Sequence, residues 1–277
     1  MPTLEENLSV WGDSYEWVRA GEEWSKAWGS TRMQWYGSIL PRISAFVPAD
    51  SILEIAPGFG RWTNYLKDLC KTIAIVDISE KCIDACRRRF SAEQHISFHV
   101  NDGKSLDVVP DGSVDLVFSY DSLVHVEDVI MESYVKEISK KLKKNGVAFI
   151  HHSNLGDYEK RISLQSMLRM KDSQLSRIPK LPGLLKRLRI YDNVTEQWRA
   201  RSMTAARMAK FAQDSGLQCI SQELITWNSR FCMVDCMSTL TPRNSTWYRE
   251  NRILKNPGFM IEAKRLSELS RLYGWSP

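Results

Sequence analysis

The chain has 277 residues, 43% of them apolar, with a formal net charge of +5. That apolar share supports a sizeable core and excludes a disordered chain, and no apolar run approaches the ~20 residues a membrane-spanning helix needs. Residues 1–10 carry acids and no apolar stretch, so no secretory leader is expected. The cysteines (Cys70, Cys82, Cys86, Cys219, Cys232 and Cys236) form no Cys-x-x-Cys pair and mostly sit in apolar patterns. Reduced, buried thiols in a cytoplasmic protein are the expectation.

Residues 1–48 read as two aromatic-rich helices. Trp17, Trp24, Trp28 and Trp35 recur at helical spacing, on one stripe, and Gly29-Ser30 interrupts the pattern. Such a stripe either packs into a core or forms a lid that sets Trp28, Arg32, Trp35 or Tyr36 over a ligand. Strands are then expected near 51–56, 73–77, 96–100, 114–119 and 146–151, with helices near 60–70, 80–90 and 127–144. Pro110-Asp-Gly112 and Asn145-Gly146 mark turns before the fourth and fifth strands. These strands are nearly continuous apolar runs, as in a parallel sheet covered on both faces.

Residues 154–200 break the rhythm and read as a helical insertion around the Leu181-Pro-Gly-Leu-Leu185 turn. Between Lys160 and Arg201, eleven Lys and Arg stand against three acids, which leaves the remainder of the chain net negative. A patch of this kind is a solvated helix face or a contact for an anionic partner. Ser202-Met-Thr204 then caps a helix through Asp214 that Gly216 closes. Strands at 217–227 and 231–240 form an antiparallel hairpin around Asn228-Ser229, and a last helix is expected near 257–273. The fold class is α/β: a Rossmann-like, mostly parallel sheet of seven strands with an antiparallel C-terminal hairpin. The parts are an aromatic helical lid (1–48), a core (49–153), a basic cap over the substrate (154–200), the closing helix and hairpin (201–240) and a helical tail (241–277).

The segment Ile52–Asp77 carries the chemistry. An apolar strand enters the turn Glu54-Ile-Ala-Pro-Gly-Phe-Gly60, a helix follows, and a second apolar strand ends in Asp77. This is a βαβ nucleotide-binding unit. Gly58 and Gly60 let the backbone turn tightly and approach a ligand. Asp77 stands where an acid accepts hydrogen bonds from a ribose diol. A dinucleotide fingerprint would need a third glycine where this chain has Thr63, and Glu54 would repel a diphosphate while favouring a cation. S-adenosyl-L-methionine has a sulfonium, an ammonium, a ribose and no phosphate. A βα turn with no ligand is the plain alternative. The motif and the acid at the second strand end resemble those of the class I S-adenosylmethionine-dependent methyltransferases. Five parallel strands, a helix and a closing hairpin resemble the core of that family over 48–153 and 202–240.

The resemblance implies roles for particular residues. Glu54, Ala56, Pro57, Gly58 and Gly60 would hold the methionine part of the cofactor. Asp77 would hold the ribose, with Ile78 beside the adenine. In Asn101-Asp102-Gly103, Asp102 would take the adenine amino group, unless it only closes an Asx turn. Tyr120, at the fourth strand end, would flank the methyl group, and Trp35 would reach in from the lid. A hydroxyl acceptor also needs a base. Asp121, His125, His151 and His152 are the candidates. His151 and His152 point to opposite faces of a strand, and His152 is favoured because it lies further past the strand end. No metal is expected.

Aromatic platforms with Arg and Asn suit a saccharide. The variant Glu-Ile-Ala-Pro-Gly-x-Gly-Arg-Trp-Thr also resembles that of bacterial enzymes methylating surface polysaccharides or sugar intermediates. The expectation is an O-methyltransferase acting on a saccharide or another small anionic or polar acceptor, with a cleft lined by Trp and Arg. A small-molecule N- or O-methyltransferase of secondary metabolism would instead have a dry, apolar pocket. A non-catalytic binding protein is the third reading. No nucleic-acid module is apparent. The basic insertion is a candidate for peripheral membrane contact, and the oligomeric state is open.

Overall fold

The structure is a computed structural model and describes residues 3–159, 198–227 and 232–274. Strands β1 (Ala49–Ile55), β2 (Cys70–Asp77), β3 (Ile96–Val100), β4 (Val114–Ser119), β5 (Leu142–Ser153), β6 (Leu217–Ile225), β7 (Asp235–Pro242) and β8 (Arg252–Asn256) form one sheet. Their order is β3-β2-β1-β4-β5-β7-β6-β8. β1 to β5 are parallel, and β7 runs antiparallel to both β5 and β6. Strand order reverses beside β1, which opens a crevice at the carboxyl ends of β1, β2 and β4.

Among the described residues the α-helices are α1 (Leu4–Asn7), α2 (Thr31–Gln34), α3 (Leu40–Ile43), α4 (Thr63–Leu66), α5 (Glu80–Arg89), α6 (Asp128–Lys141), α7 (Ala205–Asp214) and α8 (Phe259–Leu272). Strand alternation splits the core into two layers. Ile52, Ile73, Ile75, Leu116, Phe118 and Phe149 face the N-terminal helices and α8, packing with Trp28, Trp35, Ile39 and Phe259. Leu53, Ile55, Val76, Val117 and Ile150 face α6 and α7, packing with Val135, Ile138 and Met208. Arg42 ties the N-terminal layer down, bonding Glu223 of β6 and Glu262 of α8.

Three expectations change. The sheet has eight strands, because β8 adds parallel to β6 at the edge. Four of its five residues are exposed and show no buried alternation, so nothing local marked it as a strand. The Trp stripe is not continuous. Ala20 (φ 53°) and Gly21 (φ 86°) take left-handed conformations and break it. Trp28 and Trp35 are buried, whereas Trp24 is exposed. Finally, β5 extends to Ser153 because it pairs with β7 as far as Ser153–Asp235, so both histidines lie within the strand. Most of the basic insertion (160–197), with its turn and its membrane contact, lies outside the described residues, as do Asn228, Ser229 and Phe231. Among the described residues no helix is long and apolar enough to cross a membrane.

Candidate active site

The glycine turn leaves β1 with Ala56 (φ 57°), Gly58 (φ 57°) and Gly60 (φ 80°), all left-handed. A Cβ on Gly60 would lie 2.5 Å from the Phe90 ring, and one on Gly58 would lie 2.6 Å from the Trp17 ring. Both positions therefore need glycine for space as well as for conformation. The Asp77 carboxylate clamps the turn from β2, accepting from the Gly58 amide at 3.2 Å and the Ser79 amide at 2.9 Å. Ser119 and Ser122 hydroxyls donate to the Ile55 and Ala56 carbonyls, locking the β4 end to the same turn.

A cavity of about 430 Å³ opens over these strand ends. One end is lined by Ala56, Pro57, Gly58, Asp77, Ile78 and Gly103. The other is lined by Trp28, Arg61, Trp62, Tyr120, Asp121, His125, Trp198, Arg199 and Trp227. The N-terminal segment crosses the mouth. Trp17 stacks on Phe59 with centroids 4.7 Å apart, and Leu4 lies against Gly103. Lys81 bonds the Asp13 and Tyr15 carbonyls, and Arg89 pairs with Glu22.

Ten of the residues named from the sequence as ligand-facing thus meet at one cavity: Trp28, Ala56, Pro57, Gly58, Asp77, Ile78, Gly103, Tyr120, Asp121 and His125. Others do not line it. Gly60 packs behind the turn against Phe90. Glu54 is buried beneath the turn, where it accepts from the Thr63 hydroxyl at 2.5 Å. Burial pushes its carboxyl up to about 8 despite that bond, with Asp77 repulsion adding to the rise, so near neutral pH it is no anionic lure for a cation. Asp102 is exposed and closes the turn through the Lys104 and Ser105 amides; the Asx alternative is what the structure holds. The Asn101 amide is used on the Ser105 carbonyl and the Tyr134 hydroxyl. Trp35 is a core residue stacked on Tyr65 and Trp62.

The favoured base is also overturned. His152 shares the sheet face of Ile150 and is fully buried. Its Nδ1 lies 2.8 Å from the Ser153 carbonyl and its Nε2 lies 2.8 Å from the Ser238 hydroxyl. Both ring nitrogens are occupied inside the sheet because β5 does not end where its sequence suggested. His151 lies on the opposite face, below the cavity wall, 4.7 Å from the Tyr120 ring centroid. Its Nδ1 accepts from the Asp121 amide at 3.1 Å, which supports the left-handed Asp121 (φ 64°). Its Nε2 lies 3.3 Å from Asp235, near enough for charge interaction but poorly aligned for a hydrogen bond. His125 does reach the cavity. Its Nδ1 meets the Trp198 carbonyl, a group that only accepts, so the proton is assigned to Nδ1 and the lone pair to Nε2. Burial holds this imidazole down at about 4, so it is neutral at physiological pH.

Several wall residues have no individually expected role, although Arg61 and Trp62 stand in the motif and a cleft lined by Trp and Arg is expected. Arg61 pairs with Asp121 at 3.0 Å and lies over the Trp62 ring at 4.4 Å. Arg199 donates to both oxygens of the fully buried Asp235, at 2.7 and 2.9 Å. Burial pushes Asp235 up, but Arg199 and His151 outweigh it and hold the carboxyl at about 2. Among the described residues no three His, Cys, Asp or Glu side chains converge as a metal site.

Asp77 gives a pH test. Burial lifts its carboxyl to about 6 against the lowering effect of the Ser79, Gly58 and Ile78 amides. A ribose diol seated on Asp77 would donate to the carboxylate, so protonation of Asp77 would compete with binding. S-adenosylhomocysteine affinity is expected to be level above about pH 7 and to fall roughly tenfold by about pH 5. Its own amino and carboxyl groups do not titrate there. Calorimetry across this range, with Asp77→Asn as the pH-insensitive control, checks the assignment, and a level wild-type profile would refute it.

Residues 53–150 match the family model described as a methyltransferase domain. These residues therefore form a methyltransferase domain, in the class I fold that the sheet order describes, with S-adenosyl-L-methionine as its cofactor. The chain is 29% identical over 130 residues to the phosphoethanolamine N-methyltransferase of Triticum aestivum, covering 44% of this chain and 26% of that one. The match to phosphoethanolamine N-methyltransferase 1 of Zea mays is similar, so the chain spans about a quarter of these curated relatives. In fold it is similar to PKMT2 from Rickettsia typhi, with a TM-score of 0.52 and 14% identity over 74% of this chain and 50% of that one. A Haloferax volcanii methyltransferase structure, solved as a complex with the Trm112 activator, gives 0.51 and 18% over 82% and 96%.

Proposed function

We propose that this protein transfers the methyl group of S-adenosylmethionine to a small polar acceptor, a saccharide or other polyhydroxylated molecule, seated in the chamber beyond Tyr120. The observation that carries this reading is the chamber wall. Arg61 and Arg199 stand there among Trp28, Trp198 and Trp227, where a dry aliphatic surface would mark an apolar acceptor. A second reading, methylation of an amine, is favoured by the curated relatives, which are named for phosphoethanolamine.

Bound along Gly58 and Asp77, the cofactor supplies an electrophilic methyl group. The protein's share is positioning, exclusion of water and removal of a proton. The turn at Gly58 leaves room for backbone contact, and Asp77 takes the ribose. The segment carrying Leu4 and Trp17 acts as the lid. Asp121, at the β4 end, takes the acceptor's proton while Arg61 and the His151-supported backbone hold it in place. His125 offers a neutral nitrogen on the same wall.

The test uses the whole protein, S-adenosylmethionine and a panel of sugars, sugar phosphates and amino alcohols, with formation of S-adenosylhomocysteine as readout. Turnover with at least one oxygen or nitrogen acceptor is expected. Asp121→Asn is expected to cut that turnover by roughly 10²–10⁴-fold with product affinity kept. Full activity in the variant would exclude Asp121 as the base.

A further inference from the structure

The chamber end holds buried donors with nothing to donate to among the described residues. Trp28, Trp62 and Tyr120 are each at most 3% exposed and all line the cavity. Among the described residues, their indole Nε1 atoms and the phenol oxygen have no hydrogen-bond partner. The Gln34 amide, which influences the Tyr120 hydroxyl, forms no aligned bond either. Buried polar groups are rarely left without partners, because stranding them is costly. An indole N–H and a guanidinium only donate. A ligand that satisfies this end must therefore bring lone pairs rather than protons.

Three classes of ligand group can be compared. A neutral hydroxyl donates as well as accepts, and of the two carboxylates here Asp235 is held by Arg199 while Asp121, paired with Arg61, is kept for the acceptor's nucleophilic group. An ammonium would seek aromatic faces. Here Arg61 lies 4.4 Å over Trp62 and Arg199 lies 5.7 Å over Trp227, so those faces already carry cations that would repel another. An oxyanion is acceptor-only and meets both the indole donors and the two guanidiniums.

We infer that the methyl acceptor carries an oxyanion, a phosphoryl or carboxylate group, seated by Trp28, Trp62, Tyr120, Arg61 and Arg199. This rests on the methyltransferase reading and narrows its acceptor. The anion is an anchor: it leaves the nucleophilic oxygen or nitrogen elsewhere on the molecule to face Asp121 and the methyl group.

The experiment is a two-stage calorimetric titration of the full chain in a non-phosphate buffer. S-adenosylhomocysteine is added first; failure to bind sinks the methyltransferase reading itself. The saturated protein is then titrated with inorganic phosphate, acetate, tetramethylammonium and glycerol. Saturable binding of phosphate or acetate, one per chain, is expected, and the tighter of the two identifies the group. Trp28→Phe and Trp62→Phe keep the ring and delete one donor. Each is expected to weaken anion binding about tenfold, with circular dichroism confirming the fold. The inference is overturned if neither anion binds saturably, if tetramethylammonium or glycerol binds in their place, or if both folded variants keep the wild-type anion affinity.

Discussion

Replacing Arg199 with alanine is expected to lower the unfolding free energy by about 3–5 kcal/mol, the usual cost of removing one partner from a buried ion pair. Asp235 is fully buried, and both of its oxygens accept from Arg199. Without the guanidinium, the carboxylate keeps, among the described residues, only the poorly aligned His151. The pair also ties the first residue of β7 to the cavity wall, so its loss should loosen the neighbouring Trp227 and Tyr120. The pH dependence has a definite sign. Because the folded-state carboxyl is held at about 2, below its unfolded value, its contribution is present above about pH 4 and is lost as pH falls towards 2. The deficit of the variant should therefore shrink on acidification. Urea unfolding of both proteins at several pH values checks this, and a difference within about 1 kcal/mol at neutral pH would contradict the account. Arg199→Lys should recover only part of the loss, since an ammonium cannot match the two-point fork.

What was legible in the sequence is what local structure determines. The β1 turn, Asp77 and the strand alternation that divides Ile52 from Leu53 all follow from neighbours a few residues apart, and all appear as read. The same alternation also placed Glu54 on the inner face with Ile52, although its position in the motif suggested a ligand contact. Asp102 took the local Asx turn. The misreading of His152 is non-local: β5 ends where pairing with β7 ends, and that pairing joins segments more than 80 residues apart. Arg199 and Asp235 are 36 positions apart in chain order and meet only through the tertiary fold. Arg61 and Trp62 were adjacent to the recognised glycine turn, but nothing in their spacing showed which way they would point.

Asp77→Ala is the other large effect. The carboxylate holds the turn amides of Gly58 and Ser79 and faces the cavity, so its removal takes away the clamp on the turn and, in the proposed role, the ribose acceptor. Loss of charge-assisted hydrogen bonds of this kind should weaken binding of cofactor or product by about 1–3 kcal/mol, roughly 5- to 150-fold. Stability should change less, because the raised carboxyl shows that burying this charge is itself unfavourable. Titration of the wild-type protein and of Asp77→Ala with S-adenosylhomocysteine is the most direct measurement of the whole account. One molecule bound per wild-type chain, with the affinity reduced by that factor in the variant, is the predicted result. No heat of binding to the folded wild-type protein, or equal affinity in the two, would contradict it.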